Sequence, residues 1–123
     1  MAQTHVTKQK PVRFIFYGNL KHKKRFSSFL PQGTFQKVKV YGLQMHKLRT
    51  CPAVVKKNNY IYAQLWTFVL SPWQKRLLLF ILDLIEGVYI TRFTRQTMMI
   101  QNQKAYIYIY NWSVQNKPII HEW

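Results

Sequence analysis

The chain has 123 residues, 48% of them apolar and 16% aromatic, which excludes an intrinsically disordered polypeptide and leaves room for one hydrophobic core but not two. Nineteen Lys and Arg stand against three acidic residues, a formal charge of +16, so polyanions are attracted whatever else the protein does. The single cysteine, Cys51, excludes an intrachain disulfide and a cysteine-built zinc site.

Residues 1–11 read as a basic, loosely ordered arm with no apolar stretch of the kind a secretory signal needs, and 12–123 as one domain. VRFIFYGNL, 12–20, is β-branched and aromatic until Tyr17-Gly18-Asn19, so a strand ending in a turn is predicted. KHKKRFSSFL, 21–30, predicts a short helix with Phe26, Phe29 and Leu30 on its apolar side, stopped by Pro31 and Gly33. FQKVKVYGLQMHKL, 35–48, alternates in part, with Val38 and Val40 on one face and Lys37 and Lys39 on the other. AVV, 53–55, begins another strand, KKNN at 56–59 reads as a turn, and YIYAQLWTFVL at 60–70 as a long strand.

Ser71-Pro72-Trp73-Gln74 is a capping box with Pro at the first helical position, and Gly87 stands where a left-handed C-terminal residue is needed, so a helix is predicted between them. Leu77, Leu78, Ile81, Leu82, Leu84 and Ile85 make its buried face, with Lys75, Leu79, Asp83 and Glu86 as a stripe beside it. VYITRF and TMMI follow as strand. AYIYIYNW, 105–112, is a regular strand with Tyr106, Tyr108, Tyr110 and Trp112 on one face and Ala105, Ile107 and Ile109 on the other, both apolar enough to be covered. The order of elements predicts an α+β fold: a small mixed β-barrel with one long and one short helix.

Most chemical signatures are missing. His5, His22, His46 and His121 have no metal-ligand spacing, and no GxGxxG, P-loop or GxSxG occurs. The longest apolar run, LLLFIL at 77–82, is far short of the roughly 20 residues that span a bilayer, so a cytoplasmic protein that does not enter a membrane is expected. What remains is the pair of acids in LDLIEG, 82–87, since the first 82 residues contain no carboxylate side chain. Asp83 reads as a helix-surface residue paired with Lys75 or Arg76. Glu86, in the last turn, faces the negative end of the helix dipole, and partial burial would raise its pKa toward the range of a general base. The competing reading is an acid neutralised by Arg92 or Arg95.

The surrounding residues carry a resemblance. YGNL at 17–20 resembles the Tyr-Gly-Ser/Thr-Leu loop that opens the γ-glutamylcyclotransferase-like (AIG2-like) family. YGLQMHKLRTCPAVV, YIYAQLW, LDLIEGVYITR and AYIYIY resemble, in order, that family's later segments, and the short EGVYITR block is closest in pattern to the small γ-glutamylamine branch. The resemblance implies cleavage of a γ-glutamyl amide by the substrate's own α-amine, releasing 5-oxoproline and a free amine or amino acid, without cofactor or metal. It implies Glu86 as general acid/base, a substrate loop of Tyr17, Gly18, Asn19 and Leu20, Tyr89 in the pocket wall, Arg92 orienting Glu86 or meeting a substrate carboxylate, and Asp83 as a helix-end support. Asn19 replaces the family's Ser or Thr, and Ala63-Gln64 stands where Gly-Glu is common.

The alternative is a catalytically silent member acting as a basic nucleic-acid-binding or interaction module. KHKKR, Lys37, Lys39, Lys56 and Lys57 would track phosphates while Tyr or Trp stack on bases. It ranks second because the aromatic stripes read as core.

Overall fold

Alternation is the main organiser of the chain. The computed structural model describes residues 10–18, 33–87 and 91–123, with the backbone alone at Lys10 and Glu86. In order these form β1 (Lys10–Phe16), β2 (Gly33–Lys47), β3 (Pro52–Leu70), α1 (Pro72–Glu86), β4 (Phe93–Ile100), β5 (Gln103–Tyr110) and β6 (Ile119–Ile120). The strands lie in one sheet in the order β4-β5-β1-β3-β2-β6. The β1–β5 pair is parallel and the other pairs antiparallel.

The sheet buries apolar residues on both faces, as β5 leads one to expect. Ile15, Val38, Val40, Ile61, Ala63, Leu65, Ala105, Ile107 and Ile109 belong to one cluster, which we call the inner one. Val12, Phe14, Phe16, Trp66, Phe68, Leu70 and Tyr108 belong to the other, with Leu78 and Leu82 of α1. Each strand therefore sends successive residues to two different cores. Trp112, assigned to the covered face of β5, instead lies past the strand and is 48% exposed.

The expected closed barrel is not formed. The strand order ends at β4 on one side and at the two-residue β6 on the other, and these edges do not pair. The run of lysines and asparagines at 56–59 is also not a turn, because β3 passes through it unbroken from Pro52 to Leu70. The polar run is absorbed by an irregularity: Tyr41 pairs with Tyr60 but Leu43 with Lys56, so Gly42 alone stands opposite three residues of β3. The irregularity reverses the alternation, so that Val38 and Val40 before it, and Leu43 and Met45 after it, all reach the inner cluster.

Gly42 makes this possible with φ at 85°, a region that L side chains rarely adopt, while a Cβ there would meet nothing within 4 Å. Backbone strain is thus the whole cost of a substitution. Gly42→Ala is expected to destabilise the fold by about 1–2 kcal/mol, measured as a lower urea midpoint with unchanged m-value.

α1 begins and ends where its sequence signals place it. Ser71 N–H and Oγ both donate to Gln74 Oε1, at 2.9 and 3.0 Å, Pro72 opens the helix, and Gly87 closes it with φ 74°. Its orientation differs from expectation. Leu78, Leu82 and Asp83 are buried and Leu79 packs beside them, whereas Leu77, Leu84 and Ile85 are about half exposed. With apolar residues on most sides, hydrophobicity alone does not fix the helix's rotation. The partners waiting for Asp83 on β4 and β5 do.

Other expectations shift at their edges. β1 starts at Lys10, inside the supposed arm, and ends at Phe16, with the chain bending at Gly18 as the sequence indicates. Of the VYITRF segment, 88–90 lie outside the described residues, Thr91 has φ 60° in a turn, and strand begins at Phe93. The helix predicted at 21–30 and the arm residues 1–9 lie outside the described residues.

Candidate active site

The elements converge at the C-terminal end of α1. Asp83 sits one turn before that end and is 7% exposed. Its two oxygens are separately engaged: Oδ1 accepts from the Tyr108 hydroxyl at 2.7 Å and Oδ2 from Arg95 Nη1 at 2.7 Å. Asp83 is therefore not a surface acid paired with Lys75 or Arg76. A carboxylate this buried needs a cation and a hydrogen-bond donor, and strands β4 and β5 supply them.

Tyr108 extends the connection. Its backbone carbonyl accepts from the Tyr17 hydroxyl at 2.6 Å, and both rings are buried. The residue that opens the YGNL loop is thus tied, through one tyrosine of β5, to the helix that carries Glu86. Tyr17 spends its hydroxyl on this anchor, so its part at the site is to hold the loop's first residue. Gly18 follows directly and lies against Pro52, where a Cβ would come within 3.0 Å of the proline Cγ.

Arg92 joins from the other side. Its amide donates to the Gly87 carbonyl at 3.2 Å, closing the turn after the helix, and Asn111 N–H donates to the Arg92 carbonyl at 3.0 Å. Its Nη2 donates to Cys51 Sγ at 2.8 Å, next in sequence to the Pro52 that flanks Gly18. Arg92 Nε is buried without an acceptor. An unsatisfied cationic donor of this kind costs on the order of 1–3 kcal/mol, and an anionic group at this end would relieve it. Arg95, the other cation considered for Glu86, is instead committed to Asp83.

The structure so brings Tyr17, Gly18, Arg92 and the end of α1 to one end of the sheet. Glu86 occupies the last helical turn, three residues after Asp83; its side chain, Asn19, Leu20 and Tyr89 lie outside the described residues. Sequence reasoning missed Tyr108 and Cys51 as members of this cluster. The only signal for Tyr108 was its place in an aromatic alternation, and Cys51 carried none. Gln64, where the resemblance has Glu, faces away from the inner cluster opposite Lys37, and its Oε1 is buried with no donor. Buried His46 has both ring nitrogens in hydrogen-bonding contact, with the Gln44 amide at 2.9 Å and the Lys117 carbonyl at 3.0 Å. Among the described residues no group of three or more His, Cys, Asp or Glu is placed to hold a metal, and no helix is long and apolar enough to cross a membrane.

The chain matches no protein-family model and no curated protein sequence. Among solved structures it is similar to protein ytfP from Escherichia coli, with TM-score 0.69 and 20% identity, covering 90% of this chain and 93% of that one. Uncharacterized protein PH0828 from Pyrococcus horikoshii gives TM-score 0.63 and 18% identity over 89% and 86% of the two chains. At5g39720.1 from Arabidopsis thaliana gives 0.61 and 15% over 89% and 73%. At these identities what is shared is the fold.

Proposed function

We propose that the protein is a γ-glutamyl cyclotransferase, releasing 5-oxoproline and a free amine or amino acid from a γ-glutamyl amide, with Glu86 as general acid/base. The observation that carries this reading is the Asp83–Tyr108–Tyr17 connection, which fixes the last turn of α1 relative to the start of the YGNL loop. A carboxylate and a set of loop N–H donors held in register are what the reaction requires.

The substrate's α-ammonium first gives a proton to the Glu86 carboxylate. The freed amine attacks the γ-carbonyl carbon, forming the ring C–N bond and placing negative charge on the carbonyl oxygen. Backbone N–H groups of the 17–20 loop stabilise that oxygen. Glu86 passes its proton to the departing nitrogen and takes the excess proton left on the ring nitrogen. Collapse then breaks the bond to the departing amine, which leaves as an ammonium once Glu86 has returned the second proton. No water is consumed, and because nucleophile and electrophile share one molecule, holding the substrate in its cyclising conformation supplies much of the rate. Arg92, cationic and under-satisfied, suits the substrate's α-carboxylate.

The test is 5-oxoproline release from a panel of γ-glutamylamines and γ-glutamyl-amino acids. Release from at least one member is expected. No release across the panel, by protein whose circular dichroism shows it folded, overturns the reading.

A further inference from the structure

Among the described residues β2 has no strand neighbour along Gln36–Tyr41 on the side away from β3, and its odd-numbered side chains there face away from the inner cluster. On that outer face Phe35, Lys37, Lys39 and Tyr41 alternate with the inward Val38 and Val40, and pair in register with Trp66, Gln64, Tyr62 and Tyr60 of β3. Within this array the exposed Lys37, Lys39 and Tyr41 stand beside the half-buried Tyr60 and Tyr62, while at the Phe35 end Trp66 is buried in the cluster shared with α1. Tyr41 is 67% and Phe35 49% exposed. The core reading therefore fails for Tyr41, whereas Phe35 stacks on buried Trp66 with ring centroids 5.5 Å apart.

The lysines lie among the rings. Lys39 Nζ is 4.2 Å from the Tyr60 ring centroid and 5.2 Å from that of Tyr41, and Lys37 Nζ is 5.5 Å from that of Tyr62. The Lys39 pKa is raised above the ordinary lysine value, chiefly by a side-chain hydrogen bond with Tyr41. Exposed Lys56 and Lys57 continue the positive surface beyond Tyr60. Of the three acids in the chain, Asp83 is committed at the helix end, and Glu122 reaches this face, 3.2 Å from Lys37.

Along the open edge runs a groove of about 530 Å³, lined by Gln36–Tyr41 on one side and Met98–Gln101 on the other. Among the described residues β6 covers this edge of β2 only at Met45 and His46, and no described strand pairs with it between Gln36 and Tyr41, where antiparallel pairing with β3 turns every second residue's N–H and C=O toward the groove.

We infer that the outer face of β2–β3 and its edge groove bind single-stranded nucleic acid. Phosphates meet Lys37, Lys39, Lys56 and Lys57, bases stack on Tyr41, and base edges take backbone groups of the strand that no described strand pairs. Rings set among lysines favour this ligand over an acidic protein, which needs the charges but not the rings. They also favour single strands over duplex, whose base faces are hidden in the stack. The inference does not rest on the cyclotransferase reading.

The experiment is fluorescence anisotropy of labelled single-stranded U20 and dT20, and of a duplex of equal length, across a salt series. We expect single strands to bind more tightly than duplex. Tyr41→Ala is expected to weaken binding at least about fivefold with little change in salt slope. Lys37→Gln/Lys39→Gln should reduce the slope of log K against log salt by about 1.4. Glu122→Gln, which releases Lys37, should strengthen binding. Arg76→Gln and Lys117→Gln, off this face, and Glu86→Gln should leave it within twofold. The inference is overturned by absence of binding, by equal affinity for duplex with Tyr41→Ala silent, by displacement of U20 by polyglutamate as readily as by unlabelled U20, or by Arg76 and Lys117 counting as much as Lys37 and Lys39. Tyr41 and both lysines are exposed, so the variants are expected to fold, and circular dichroism verifies each.

Discussion

Glu86→Gln is expected to lower kcat for 5-oxoproline release by at least about 100-fold, with KM nearly unchanged. Proton transfer by a positioned side chain contributes on the order of 10²–10⁴ in rate, and the cyclisation uses the same carboxylate twice. Glutamine matches glutamate in shape and keeps an acceptor, but it cannot take the ammonium proton or return one to the leaving amine. The loss therefore falls on the chemical step, not on binding. Glu86→Asp, which keeps the acid but draws it back by one methylene, is expected to retain more activity than Glu86→Gln. The acidic limb of the wild-type pH–rate profile should vanish in Glu86→Gln. A variant within tenfold of wild type in kcat would remove Glu86 from the chemistry while leaving open cyclisation driven by positioning alone.

The parts of this molecule legible from sequence are those governed by local rules. Ser71, Pro72, Gln74 and Gly87 each act within one turn of α1, and both helix ends fall where they indicate. The two-sided burial of β5 follows from strict alternation. What was not legible depends on partners distant in the chain. Asp83 looked like a surface acid because Lys75 and Arg76 are its sequence neighbours, yet it is bound by Arg95 and by Tyr108, 25 residues away. The same long-range pairing sets the rotation of α1, which a broadly apolar helix could not announce.

The misread at 56–59 has a related cause. Two lysines followed by two asparagines, between apolar runs, have the composition of a hairpin turn. They become part of a strand because Gly42, on a different strand, accepts the left-handed conformation that lets three residues of β3 pass opposite one. Closure of the barrel was likewise an inference from element order, and element order does not say whether the edge strands meet. Keeping them apart leaves the Gln36–Tyr41 edge of β2 without a strand partner among the described residues, so one unclosed seam underlies both the failed expectation and the groove of the proposed nucleic-acid site.

Asp83→Ala is expected to destabilise the protein by about 3 kcal/mol. Two effects add. Buried Tyr108 loses the Asp83 acceptor for its hydroxyl, on the order of 1–3 kcal/mol. Arg95 loses its counterion, which in a fully buried pair would cost about 3–5 kcal/mol. The Arg95 side chain is 30% exposed, so water recovers much of that second term. Urea unfolding measures the sum, and a double-mutant cycle separates the tyrosine: Tyr108→Phe should cost about 1 kcal/mol in the wild type and almost nothing beside Asp83→Ala. Additive losses would mean that the two side chains do not work through one another. Coupling in this cycle tests the link from α1 to Tyr108; the second link, from the Tyr17 hydroxyl to the Tyr108 backbone carbonyl, survives both substitutions and needs its own variant. Tyr17→Phe is that variant. It should weaken 5-oxoproline release more than it lowers stability, since it frees the loop's first residue while leaving Asp83 and its two partners in place.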